Sequence, residues 1–148
     1  MVPVETPLAR ILIAEDDEAD IELVTRAFKK SKLPNEVYIV RDGVEALEFL
    51  RREGRYKSAP GVDIFLLDIN MPRKNGQEVL EELRQDPTLR RLPVVMLTSS
   101  DAEEDVLRAY QSGANSYIRK PVGFEELIKI IQKLEDYWFS TVKRPIRS

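Results

Sequence analysis

Residues 64–70 have the sequence IFLLDIN, in which four consecutive apolar residues end at Asp68. A short apolar run without polar alternation is typical of a β-strand that is buried on both faces, as the strands of parallel sheets are. Asp68 directly follows this strand, at the carboxyl edge of the sheet, which is where open α/β proteins bind their ligands. The segment therefore predicts a buried parallel strand and makes Asp68 a candidate functional residue.

Four further apolar runs, at intervals of roughly 20 to 30 residues, also have the length of strands. The segments between them place apolar residues three and four positions apart, which indicates amphipathic helices. This alternation predicts an α/β fold, in which helices cover both faces of a parallel sheet. The predicted strands are residues 10–14, 37–40, 64–67, 94–97 and 116–118; the first predicted helix begins near Asp17 or Glu18, the second stops near Gly54, the third ends at Asp86-Pro87, the fourth closes at Gly113 and the fifth runs from about Gly123 to Phe139.

The composition excludes several kinds of chemistry. The 148-residue chain has neither Cys nor His, which excludes disulfide bridges, thiolate nucleophiles, Ser-His-Asp catalysis and His-ligated metals. Its formal net charge of -3 argues against a nucleic-acid-binding domain, which is usually basic. The functional chemistry must therefore come from carboxylates, hydroxyl groups, Lys and Arg.

The length of the chain fits a single domain. We expect residues 1–9 to be a flexible leader, residues 10–139 to be one folded unit and residues 140–148 to be a tail. No apolar run has the length of a signal peptide or a membrane span. We therefore expect a cytoplasmic, stand-alone domain that does not contact a membrane.

Polar residues follow four of the five predicted strands. The carboxylates of Glu15, Asp16 and Asp68 would meet at one edge of the sheet, where their mutual repulsion favours a bound cation. Oxygen ligands suit Mg²⁺ better than zinc or copper, and Thr98 and Lys120 supply the hydroxyl group and the positive charge that a phosphoryl oxygen requires. Together these residues predict phosphoryl transfer to a carboxylate, although each alone has a simpler explanation as a helix cap, a strand residue or a solvated lysine.

Four segments, ILIAEDD, FLLDINMPRKNG, VVMLTSS and ANSYIRKP, resemble the signature segments of the receiver domain of bacterial two-component response regulators. The resemblance extends over roughly residues 10–139, and the segments occur in the family's order. It implies a flavodoxin-like fold of five strand–helix units, with a doubly wound parallel sheet in the strand order 2-1-3-4-5. It also implies a phosphoacceptor signalling protein rather than an enzyme.

The resemblance assigns the phosphoacceptor and the metal ligands. Asp68 matches the aspartate that receives a phosphoryl group from the phosphohistidine of a separate sensor kinase. Asp16 matches a direct ligand of Mg²⁺, and Glu15 matches a ligand that acts through water. Asn70 matches the residue whose backbone carbonyl completes the metal site.

The resemblance also assigns residues that respond to phosphorylation. Thr98 and Lys120 match the hydroxyl and the ammonium groups that contact the phosphoryl oxygens, and Tyr117 matches the aromatic switch residue whose ring turns inward. Pro121 suggests a cis Lys120-Pro121 bond, which would direct the lysine into the site.

Two further segments, RDGVEALEFL and DYWFSTVKRP, resemble the single-domain regulators of bacterial phytochrome histidine kinases. This implies a phytochrome-type kinase as partner and a homodimer formed through strand 5, helix 5 and the tail. Tyr137, Trp138 and Phe139 are the candidate dimer residues, because aromatic side chains are enriched at protein interfaces.

Two alternative functions remain open. Phosphatases with an aspartyl nucleophile commonly have a second Asp two residues later as the general acid-base, but this position is occupied by Asn70, whose amide cannot transfer a proton in that way. A degenerate receiver that only binds a partner is the other alternative, and the complete set of Glu15, Asp16, Asp68, Thr98 and Lys120 argues against it.

Overall fold

The structure, a computed structural model, describes residues 8–31 and 33–136. In this part of the chain five strands alternate with five α-helices and form one parallel sheet in the order β2-β1-β3-β4-β5. The predicted fold class and strand order are therefore confirmed. The elements are β1 (Ala9–Ala14), α1 (Glu18–Lys29), β2 (Asn35–Val40), α2 (Gly43–Arg51), β3 (Ile64–Leu67), α3 (Gly76–Gln85), β4 (Val94–Thr98), α4 (Glu103–Gln111), β5 (Ser116–Arg119) and α5 (Phe124–Glu135).

The sheet has a hydrophobic core on each face, because successive side chains of a strand point in opposite directions. In β1, Leu12 packs into the core that is covered by α2, α3 and α4, whereas Ile11 and Ile13 pack into the core that is covered by α1 and α5. All four residues of β3 are buried, as its continuous apolar sequence predicts. The helices thus hold the carboxyl edge of the sheet in place from both sides.

Polar caps and turns determine several helix ends. The side chain of Asp17 accepts a hydrogen bond from the backbone N–H of Asp20 and so caps α1. Asn75 forms a capping box with Glu78 at the start of α3. As predicted, α3 stops before Asp86, and the turn after α4 contains Gly113 with a φ of 99°.

The connection between α2 and β3 differs from the prediction. Helix α2 ends at Arg51 rather than near Gly54, because Arg52 adopts a left-handed conformation with a φ of 55°. Residues Gly54–Tyr56 then form a separate 3₁₀ turn. The ring of Tyr56 packs against that of Phe49 in α2, with 5.1 Å between the ring centroids, so this long connection is anchored to the domain.

The prediction of a cis Lys120-Pro121 bond is wrong, since the described part of the chain has no cis peptide bond. The trans form is favoured at X-Pro bonds by about 0.5–1 kcal/mol unless other contacts oppose it. Here the backbone N–H of Lys120 donates to the carbonyl of Thr98 at 2.8 Å, and the lysine reaches the site without the cis form.

Two further predictions concern the ends of the chain and membrane contact. The last part of the fifth predicted helix, with Tyr137, Trp138 and Phe139, lies outside the described residues. Within the described ranges, no helix is both long enough and apolar enough to cross a membrane.

Candidate functional site

The carboxyl ends of β1, β3, β4 and β5 bring together residues from four separate parts of the sequence. The backbone N–H of Asp68 donates to the carbonyl of Ala14 at 3.2 Å, and the N–H of Lys120 donates to the carbonyl of Thr98 at 2.8 Å. These bonds continue the sheet beyond the strands themselves. As a result, the side chains that follow β1 and β3 lie beside each other.

The three predicted carboxylates form one cluster. Glu15, Asp16 and Asp68 each offer an oxygen atom, and these atoms all lie within 4.8 Å of one another. Glu15 and Asp68 are buried, whereas Asp16 is exposed. The Oε2 atom of Glu15 accepts hydrogen bonds from the N–H groups of Asp16 at 3.0 Å and Asp17 at 3.2 Å, which holds this carboxylate in place.

The donor set fits a hard divalent cation. All three side chains supply oxygen atoms, and the exposed position of Asp16 leaves one side of the cluster open to water and to a substrate. Burial, together with the nearby charge of Asp68, raises the pKa of Glu15 to about 7, even though the hydrogen bond from Lys120 opposes this shift. The cluster therefore resists full ionisation, and a bound cation would relieve that resistance.

The ammonium group of Lys120 contacts two carboxylates of the acidic cluster and one from the first turn of α1. Its Nζ atom lies 3.0 Å from Oδ2 of Asp68, 3.0 Å from Oδ2 of Asp20 and within hydrogen-bonding distance of Glu15. Burial lowers the pKa of Lys120, but the hydrogen bonds to Glu15 and Asp20 and the charge of Asp68 more than offset that effect and raise it above its usual value. The ammonium group is therefore charged and directed at the candidate phosphoacceptor.

The predicted switch residues are connected through the loop that follows β4. Thr98 is fully buried, and its hydroxyl oxygen accepts a long hydrogen bond of 3.5 Å from the N–H of Ser100. The hydroxyl group of Tyr117 donates to the carbonyl of Ser100 at 2.8 Å. Burial raises the pKa of this phenol.

Asn70 lies at the exposed side of the site. Its backbone N–H donates to Oδ1 of Asp68 at 3.3 Å, so the residue lies next to the candidate phosphoacceptor. The role of its carbonyl as a metal ligand stays a prediction. Pro121 follows Lys120 in the trans form, and its predicted role in directing the lysine is not required.

Two residues at this site were missed in the sequence analysis. Asp20 contacts Lys120 from the first turn of α1, and this contact joins residues 100 positions apart that no local sequence pattern connects. Close packing requires a glycine at position 76, because a Cβ atom there would lie 2.2 Å from the carbonyl oxygen of Asp68. Asn75-Gly76 ends the segment FLLDINMPRKNG, and the resemblance of that segment assigns no role to Gly76.

Comparison with known proteins identifies the family. The sequence model of the response regulator receiver domain matches residues 11–132 of this chain. The chain belongs to the response regulator receiver domain family. It is also 42% identical, over 135 residues, to the response regulator Rcp1 of Synechocystis, an alignment that spans 91% of this chain and 92% of Rcp1.

Solved structures of response regulators have the same fold. The crystal structure of the phosphorylated cyanobacterial phytochrome response regulator RcpA superposes with a TM-score of 0.90 at 43% identity, over 95% of this chain and 100% of RcpA. The Mn²⁺-bound form of Rcp1 superposes with a TM-score of 0.86 at 41% identity, over 93% of this chain and 99% of that structure. This receiver is therefore a response regulator with an acidic cluster of the kind that binds divalent metal ions in its family.

Proposed function

We propose that this response regulator accepts a phosphoryl group on Asp68. The observation that carries this proposal is the position of Asp68: its buried carboxylate lies at the end of β3, within 4.8 Å of donor oxygens of Glu15 and Asp16, and 3.0 Å from the ammonium group of Lys120. A nucleophile in this position is surrounded by the groups that phosphoryl transfer requires, which are a hard-cation site and a fixed positive charge.

The transfer can be written with the residues of this chain. A carboxylate oxygen of Asp68 attacks the phosphorus atom of a kinase phosphohistidine, the P–N bond breaks, and the imidazole leaves with the electron pair and takes up a proton. Lys120 stabilises the charge on the phosphoryl oxygens during this step. Glu15, Asp16 and Asp68, with the carbonyl of Asn70, would hold Mg²⁺, which when bound neutralises charge on the phosphoryl oxygens.

Phosphorylation would act on the loop that follows β4. The acyl phosphate adds about -1.5 to -2 charges, which attract the hydroxyl group of Thr98 and the ammonium group of Lys120. Movement of Thr98 would displace Ser100, to which Tyr117 is bonded, and would change the position of the tyrosine ring, which packs against the core on this face of the sheet. The event at Asp68 would thereby change the surface formed by α4, β5 and α5.

The proposed partner is a sensor histidine kinase of the phytochrome type. This proposal is supported by RcpA, which is described as a cyanobacterial phytochrome response regulator. It is also supported by two bacteriophytochrome response regulators that are each 43% identical to this chain. Homodimer formation through β5, α5 and the segment with Tyr137, Trp138 and Phe139 stays a prediction, as do the cytoplasmic location and the domain limits at residues 10 and 139.

The two alternative functions are less well supported. Asn70, whose amide is no general acid-base, stands two residues after Asp68, which argues against a phosphatase acting on other molecules. A receiver that only binds a partner would not need a lysine enclosed by three carboxylates. We therefore favour a phosphoacceptor that is not an enzyme in its own right.

The proposal is tested by replacing the phosphoacceptor. Wild-type protein, Asp68→Asn and the control Asp101→Asn are incubated with acetyl phosphate and Mg²⁺, and phosphorylation is followed by mass spectrometry of the intact chain. Asp101 is exposed and pairs with Arg119, so its substitution makes the same change of charge outside the cluster. We expect phosphorylation of the wild type and of Asp101→Asn only. Labelling of Asp68→Asn at the wild-type level would disprove the assignment.

A further inference from the structure

The ammonium group of Lys120 has a third carboxylate partner besides Glu15 and Asp68. Oδ2 of Asp20, in the first turn of α1, accepts a hydrogen bond from Nζ of Lys120 at 3.0 Å. The side chain of Lys120 is 11% exposed and that of Asp20 is 36% exposed, so the pair is partly shielded from water. An ion pair in this environment is stronger than one on the open surface.

The position of Asp20 is determined by its own helix. The backbone N–H of Asp20 donates to the capping side chain of Asp17 at 3.0 Å, and the next residue, Ile21, is buried against the core. The carboxylate therefore extends toward Lys120 from a well-defined turn.

The three carboxylate partners of Lys120 take different parts in the proposed phosphoryl transfer. An ammonium group has three N–H donors, and Glu15, Asp20 and Asp68 accept all three. Asp68 becomes the acyl phosphate, and Glu15 belongs to the cation cluster. Asp20 is the one partner of the three whose carboxylate the proposed transfer neither consumes nor assigns to the cation.

We propose that Asp20 is a positioning residue. It holds the ammonium group of Lys120 beside Asp68 while the contacts of that group with Glu15 and Asp68 change during phosphoryl transfer. This inference rests on the proposed phosphoacceptor function. Asp20 is not among the residues that the resemblance assigns to the site, which include the acidic pair, the phosphoacceptor aspartate, the hydroxyl residue and the lysine. Asp20 acts only through Lys120 and touches neither the phosphoryl donor nor the reacting atoms.

The first test compares substitutions in the same turn of α1. Asp20→Ala and the control Glu18→Ala each remove one acidic side chain near the start of the helix, and both lose the same favourable interaction with the helix dipole. Glu18 is 76% exposed and pairs with Arg41. We expect Asp20→Ala to be phosphorylated by acetyl phosphate and Mg²⁺ roughly tenfold more slowly, as the loss of a charge-assisted hydrogen bond predicts, and Glu18→Ala to react at the wild-type rate.

The second test separates positioning from a structural role. In the Lys120→Ala background, Asp20→Ala should cause no further loss of rate, because the ammonium group that it positions is absent. Beryllofluoride affinity, measured by calorimetry with Mg²⁺ present, should follow the same pattern, and Asp20→Glu should restore part of the rate.

Each outcome of these tests supports or overturns the inference. A wild-type rate in Asp20→Ala, tighter beryllofluoride binding in that variant, or an equal loss in both backgrounds would overturn it while leaving the phosphoacceptor function intact. A wild-type protein that is not phosphorylated would instead overturn the proposed function, and with it this inference.

Discussion

The hydroxyl group of Tyr117 in β5 donates a hydrogen bond of 2.8 Å to the backbone carbonyl of Ser100, in the loop that follows β4. The N–H of the same Ser100 donates to the hydroxyl oxygen of Thr98 at 3.5 Å. The two predicted switch residues are thus connected through a single loop residue. This connection provides a direct route by which a movement of Thr98 can reach Tyr117, whose ring packs against the core.

The first prediction is that Tyr117→Phe loosens the loop that follows β4. The substitution removes one hydrogen bond with a net value of about 0.5–1.5 kcal/mol, so amide exchange at residues 99–102 should become faster by up to roughly tenfold. Hydrogen exchange followed by mass spectrometry measures this. Tyr38→Phe is the matched control, because its hydroxyl group is bonded to Glu36 on the opposite edge of the sheet. Identical exchange in the two variants would contradict the proposed connection.

The second prediction concerns the charge balance at the acidic cluster. Lys120→Met leaves the buried carboxylates of Glu15 and Asp68 without their ammonium partner, and the loss of one member of a buried ion pair costs about 3–5 kcal/mol. In EDTA at neutral pH, we expect the free energy of unfolding to fall by an amount of that order. Urea unfolding followed by circular dichroism provides the measurement.

Addition of Mg²⁺ should distinguish this effect from a general loss of packing. A cation bound by the cluster replaces the missing charge, so Mg²⁺ should stabilise Lys120→Met more than it stabilises the wild type. Lys129→Met serves as the control, since Lys129 forms an exposed pair with Glu126. If Mg²⁺ stabilised all three proteins equally, the charge-balance argument would fail.

The third prediction is that Gly76→Ala disturbs the phosphoacceptor. The new Cβ atom would lie 2.2 Å from the carbonyl oxygen of Asp68, so the backbone of the segment after β3 must shift. Such overpacking costs about 1–3 kcal/mol, and we expect slower phosphorylation by acetyl phosphate together with a lower free energy of unfolding. Gly123→Ala, whose Cβ atom would meet nothing within 4 Å, should change the phosphorylation rate little. Equal rates in the two variants would show that the close approach is unimportant.

The sequence patterns predicted the fold because its determinants are local. Continuous apolar runs, helical periodicity and turn residues such as Gly113 depend on neighbours in the chain, and all five strands were found at the predicted places to within two residues at their ends. The carboxyl edge of a parallel sheet then brings Glu15, Asp68 and Lys120 together by geometry alone.

Some predictions were wrong and some residues were missed because the features concerned depend on contacts between distant residues or on small energy differences. The Lys120-Pro121 bond is trans, and the preference that decides such a bond is only about 0.5–1 kcal/mol. Asp20 acquires its role from Lys120, which is 100 residues away in the sequence. The end of α2 at Arg51 depends on the left-handed conformation of Arg52, a residue type that rarely adopts it. No pattern in the local sequence indicates these features.

The fourth prediction arises from a buried carboxylate outside the functional site. Glu135 in α5 is 4% exposed, and its Oε2 atom accepts a hydrogen bond of 2.6 Å from the hydroxyl group of Ser31. Burial raises the pKa of Glu135 above its usual value, and the bond from Ser31 only partly opposes this. The folded protein therefore keeps a proton on Glu135 to a higher pH than the unfolded chain does.

The consequence is a loss of stability with rising pH. Between the ordinary pKa of 4.5 and the raised pKa of the folded state, the folded protein binds more protons than the unfolded chain, so the contribution of Glu135 to the free energy of unfolding falls as pH rises through this window. Glu135→Gln cannot ionise and should be more stable than the wild type above the window, with the difference disappearing below it. Urea unfolding from below pH 4.5 to neutral pH measures this difference, with the exposed Glu126→Gln as control. A difference between wild type and Glu135→Gln that does not change with pH would contradict the assignment of this burial effect to Glu135.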